Sequence, residues 1–170
     1  MARSDAITTL VALLDEAYDR RSWHGPNLRG SLRGLRAPQA AWRPAPGRHS
    51  AWELAVHAAY WKYAALRRLT GDKRGSFARA GSNWLAPPAP PTEAAWRKDL
   101  GLLADCHRRL RAAVAGLQDT ELDRRTPGGQ ETIGRLVRGV AAHDLYHAGQ
   151  IQLLRRLRES LRRPGDSRRS

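Results

Sequence analysis

His143 and His147 stand one helical turn apart in a stretch whose apolar residues recur at helical spacing. Leu136, Val140, Ile151 and Leu154 share their face, at steps of three and four. That face is apolar, so both imidazoles are expected to point inward. Side chains at i and i+4 are neighbours on a helix and can converge on one ion. Neutral imidazole suits zinc, nickel, copper or ferrous iron. Two ligands rarely make a tight site, so a third must come from another helix. His57, flanked by Leu54, Ala58 and Trp61 midway along a second helical segment, meets that need. Three imidazoles with an open position form a catalytic type of metal site, at which a bound water loses its proton more easily. The plainer alternative is a set of buried core histidines.

The run His143-Asp144-Leu145-Tyr146-His147 also resembles the zinc-protease pattern, with Asp144 in the place of the glutamate base. Asp144 is one methylene shorter, and no histidine follows His147 as a downstream ligand, which argues against a protease. Asp144 then reads as a partner that orients a ligand or as a solvated helix residue. Gln150 shares the ligand face and is a candidate to bond a ligand or substrate. His24 is a candidate to approach the open end of the helices. Trp61, one turn after His57, can wall a pocket or fill the core. Tyr146 lies on another face and reads as packing, Cys106 as packing, and His107 as a surface residue.

Several elements must hold these residues. A first helix is predicted from Ser4 or Asp5 to Arg20, with Ile7, Leu10, Val11, Leu14 and Tyr18 as its apolar stripe. Pro26 and Gly25 stop it, and Asn27 can cap a short segment carrying Leu28, Leu32 and Leu35. One helical turn fits Pro38 to Ala41. Ser50 and Glu53 form a capping box that starts a helix running to Thr70, stopped by Gly71. This helix is apolar on most sides, with its outward charge at Lys62, Arg67 and Arg68. Gly71 to Pro91 is a long Gly- and Pro-rich loop with Phe77, Trp84 and Leu85 inside it; it reads either as a cover for a site or as a surface excursion pinned by its aromatics. A third helix is predicted from Thr92 to Leu117 and a fourth from Gln130 to Arg162. No strand-like alternation occurs, so the predicted class is all-α, and four long helices imply a bundle.

At 170 residues the chain is predicted to form one domain over residues 1–163, followed by a basic, disordered tail over 164–170. The N-terminus lacks the pattern of a signal peptide, and no apolar run approaches the roughly 20 residues needed to span a bilayer. These features predict a soluble, cytoplasmic protein without membrane attachment. The single cysteine excludes an internal disulfide framework. The net charge of +14 admits phosphate backbones as partners. Nearly all the cations are arginines scattered over every helix, however, a skew that base composition also produces, so nucleic-acid binding is the lesser reading.

Two longer motifs carry a family resemblance. His49-Ser50-Ala51-Trp52-Glu53-Leu54-Ala55-Val56-His57 followed by Trp61, together with His143-Asp144-Leu145-Tyr146-His147-Ala148-Gly149-Gln150-Ile151, resembles the DinB-like/YfiT-like family of metalloenzymes. Trp23-His24-Gly25-Pro26 and Gly81-Ser82-Asn83-Trp84 sit where that family carries similar segments. The resemblance runs from about Asp5 to Leu157. It implies a four-helix bundle of up-down-down-up order, often dimeric. It also implies metal ligation at His57, His143 and His147, with a divalent ion, zinc or nickel first and iron or manganese behind them. Relatives include transferases and isomerases that use low-molecular-weight thiols, and hydrolases. A small-molecule substrate is therefore expected, with a low-molecular-weight thiol as cosubstrate in the transferase and isomerase reading. The alternatives are a non-catalytic, stress-related metal-binding dimer and a basic nucleic-acid-associated protein.

Overall fold

The computed structural model of the chain describes residues 5–73, 75–81 and 83–161. Its secondary structure there is helical: α1 (Asp5–Tyr18), α2 (Leu28–Leu32), α3 (Ala37–Ala40), α4 (Ala51–Thr70), α5 (Glu93–Ala115) and α6 (Ile133–Leu161), with a 3-10 turn at Asp119–Glu121. The protein is thus all-α, as its periodicity predicts. The tail predicted at 164–170 lies outside the described residues. Among the described residues no helix is long and apolar enough to cross a membrane.

The helix ends follow local chemistry. Ser50 accepts from the Glu53 amide, and the Glu53 carboxylate accepts from the Ser50 amide at 2.9 Å, closing the box that starts α4. Gly71 ends α4 in the left-handed region (φ 74°), where a side chain would be strained. Thr92 caps α5 rather than joining it. α6 begins at Ile133, three residues later than predicted. The reason is a turn: the Thr126 amide donates to the Glu131 carbonyl, and the Thr132 hydroxyl accepts from the Arg135 amide. Thr132 therefore acts as a cap, and Gln130 and Glu131 belong to the turn before it.

The long helices pack as neighbours in the pairs α4 with α5, α4 with α6, α1 with α6 and α1 with α5. One part of the core gathers around Trp52, Val56, Trp96 and Leu103; another gathers around Leu10, Leu14, Leu110, Val114 and Val137. Both core indoles donate, Trp52 to Asp99 Oδ2 at 2.7 Å and Trp96 to the Leu35 carbonyl at 2.8 Å, as buried tryptophans generally must.

Two charged residues depart from expectation. Lys62 is fully buried rather than outward, and so is Asp144, which is not a solvated residue. Their side chains form an ion pair across α4 and α6. Ala55, Ala59, Lys62 and Leu66 make one buried stripe on α4. Val137, Ala141, Asp144, Ala148 and Ile151 make one on α6. Alanines complete both stripes, which shifts the centre of each inward face toward the charged residue.

Candidate metal centre

Because the buried stripe of α6 runs through Asp144, His143 and His147 lie at its rim, facing α4. His143 is half-buried and His147 buried. His57, in the middle of α4, is buried opposite them. His57 Nε2 lies 3.2 Å from His143 Nε2, and His147 Nε2 lies 3.0 Å from it. The three ligating atoms fall within 4.8 Å of one another, and no cysteine, aspartate or glutamate joins the cluster among the described residues.

The outer ring nitrogens fix the tautomers. His57 Nδ1 donates to the Asn83 carbonyl at 3.1 Å, and His147 Nδ1 donates to Gln150 Oε1 at 2.6 Å. With Nδ1 protonated, Nε2 of each neutral ring carries a lone pair directed inward. His143 Nε2 meets both and can offer a proton to only one. Burial lowers the basicity of all three rings, His57 to about 4 and His143 to about 3, with the neighbouring imidazoles reinforcing it. The Asn83 and Gln150 bonds oppose the shifts at His57 and His147. One inward lone pair is therefore left facing another ring nitrogen with no proton between them unless a cation lies among the three. Ligand nitrogens about 2.0–2.1 Å from a tetrahedral zinc stand about 3.3 Å apart, close to the two separations at His143 Nε2. The donor set therefore fits a divalent metal.

The loop before α5 completes the surroundings. Trp84 stacks on His57 at 3.8 Å and, on its other side, on His49 at 3.6 Å. Asn83 takes a left-handed conformation (φ 61°). Its side-chain carbonyl accepts from Trp61 Nε1 at 3.0 Å while its backbone carbonyl holds His57. The segment thus covers the site and is pinned by aromatics at once, with Phe77 against Tyr60 and Tyr63. On the other side, a cavity of about 500 Å³ opens beside His143, lined by Trp61, Leu136 and Val140 among others.

The remaining candidates separate clearly. Gln150 touches His147 directly. Asp144 pairs with Lys62 rather than with a site histidine. His24 is exposed and is not a member of the three-histidine cluster. Tyr146, expected to pack, is 64% exposed and meets only the edge of the His147 ring, at 5.1 Å between centroids. His107, expected at the surface, is buried and stacks on Tyr18 at 3.9 Å. Cys106 is buried as expected, and burial pushes its thiol up to about 11. In the sequence Asn83 is named only as part of the family-like segment ending at Trp84, and its hold on His57 and Trp61 is not anticipated there.

Helices that bring three imidazoles from two segments to one point define an all-helical protein with a metal-type histidine cluster. The sequence profile of the DinB superfamily matches residues 20–151; the chain belongs to that superfamily, and the cluster fits the metal site its motifs suggest. No curated protein and no solved structure matches it.

Proposed function

We propose that the chain is a divalent-metal-dependent enzyme that carries out thiol transfer or hydrolysis on a small molecule at His57, His143 and His147. The observation that supports this most is the convergence of three Nε2 atoms beside a cavity, with no fourth acidic or sulfur ligand in the cluster among the described residues. Such a donor set leaves coordination positions for a substrate. When bound, a dication supplies a lowered pKa to a coordinated thiol or water. Asn83 and Gln150 act as positioning residues by holding His57 and His147 in the tautomer that directs Nε2 inward. Trp84 and Trp61 exclude water from two sides of the histidines. Zinc or nickel is the proposed ion and iron or manganese the alternative, since imidazole accepts all of these.

Two proposals concern assembly. The first is the up-down-down-up bundle. It is supported by Trp52 meeting Asp99 near the starts of α4 and α5, by Arg68 meeting Glu131 where α4 ends and α6 begins, and by α1 and α5 running oppositely, since Asp15 meets Arg111 while Tyr18, farther along α1, meets His107, earlier on α5. The second is a homodimer through α6, supported by the exposed Tyr146, Leu153, Leu157 and Leu161 along that helix.

The test is elemental analysis of protein purified without an affinity tag. Replacing His57, His143 or His147 by Ala is expected to remove bound metal. Gln150→Ala should weaken affinity by about 10- to 100-fold. Equal metal content in parent and histidine variants would reject the assignment. A screen of low-molecular-weight thiols against electrophilic acceptors then identifies the reaction.

A further inference from the structure

The cavity beside His143 runs along the seam of α4 and α6. On α6 it passes Arg135, Leu136, Gly139, Val140 and His143, on α4 it passes Trp61, and Gln130 and Glu131 of the turn before α6 line its Arg135 end. Eight residues separate Arg135 from His143, a rise of about 12 Å along a helix. One end of this groove is therefore a guanidinium, the middle is apolar and the other end is the histidine cluster. A second guanidinium, Arg68, also lines it, but Arg68 Nη1 is 2.9 Å from Glu131 Oε1 and the group lies 5.8 Å from the Trp61 ring centroid. Its charge is compensated. Arg135 is exposed and has no carboxylate partner among the described residues. Gly139 lies midway and is exposed: a Cβ added there would meet nothing within 4 Å, so a larger side chain at this position would project into the open space of the groove.

We infer that this groove binds an amphipathic organic acid, with its anionic group on Arg135, its apolar body across Gly139 against Trp61 and Val140, and its reacting end at the histidines. The last contact rests on the metal-dependent reading above; the first two do not. Such a groove disfavours neutral or cationic analogues.

Octanoate and octanamide share an apolar body and differ in charge. Calorimetric titration of the full chain, both zinc-loaded and zinc-free, compares them. The acid is expected to bind about three- to fivefold more tightly than the amide, as suits an exposed guanidinium. Arg135→Gln should erase that preference. Gly139→Leu should weaken both ligands at least about tenfold while zinc content stays at the parent level. The zinc-free arm removes carboxylate coordination as a source of preference. Absence of binding, equal binding of acid and amide, a preference that survives in Arg135→Gln, or full binding in Gly139→Leu would each overturn the inference. Zinc content, measured alongside, reports separately on the metal reading, so either can fail alone.

Discussion

At His107 the imidazole is sealed between Tyr18 and the body of α5, and burial holds it neutral down to about pH 3, with the Lys62 charge acting in the same direction and Asp15 against it. In the unfolded chain the same ring takes up a proton below its ordinary 6.5. The unfolded state therefore binds more protons between those limits. The stability this neutral ring permits is complete above pH 6.5 and is lost as pH falls toward 3. Near pH 5 one such group contributes a slope of about 1.4 kcal/mol per pH unit. His107→Phe is expected to reduce the pH slope of urea-derived stability at pH 5 by about that amount; an unchanged slope would contradict a buried neutral His107. The site residues divide by how local their signals are. His143 and His147 were legible because four residues on a helix guarantee a shared face, and His57 because it sits midway along a capped apolar helix. Asn83 was not legible: its role depends on a left-handed backbone and a long-range contact that no spacing encodes.

Between helices, the Lys62–Asp144 pair joins the two elements that carry the clustered histidines. Asp144 Oδ1 has no hydrogen-bond partner in the core, so the carboxylate depends on Lys62 for compensation. Removing one member of such a pair leaves an uncompensated buried charge, which costs about 3–5 kcal/mol, whereas replacing both with apolar residues is often close to neutral. Lys62→Met alone is thus expected to destabilise by about 3–5 kcal/mol, and Lys62→Met with Asp144→Leu to recover most of it. Chemical denaturation of the four proteins in the cycle tests this, and additive losses would mean that the two charges do not depend on each other. Element boundaries were largely readable, since Ser50, Gly71 and Thr92 each act through their nearest neighbours. The burial of Lys62 was not, because a lysine among alanines fits an outer face equally well. Only the opposing Asp144 places it inside.

For the molecule as a whole, the exposed apolar residues of α6 make assembly testable. Leu153 is 58% exposed, nearly two turns beyond His147 and nearly three beyond His143 on the same helix. If two copies meet there, Leu153→Glu should convert a dimer into a monomer in sedimentation analysis without loss of bound metal. A parent protein that sediments as a monomer, or a variant that remains dimeric, would remove α6 as the interface. The helical class was legible from periodicity alone, while the partners of each helix depended on contacts such as Arg111 with Asp15 that lie far apart in the chain. The placement of Cys106 has a practical consequence for finding the reaction. The chain's only sulfhydryl is shielded inside the folded protein and stays protonated at neutral pH. A colorimetric sulfhydryl count on the native protein then starts from a near-zero background, so in a test of the proposed thiol transfer any equivalent that disappears belongs to the added thiol.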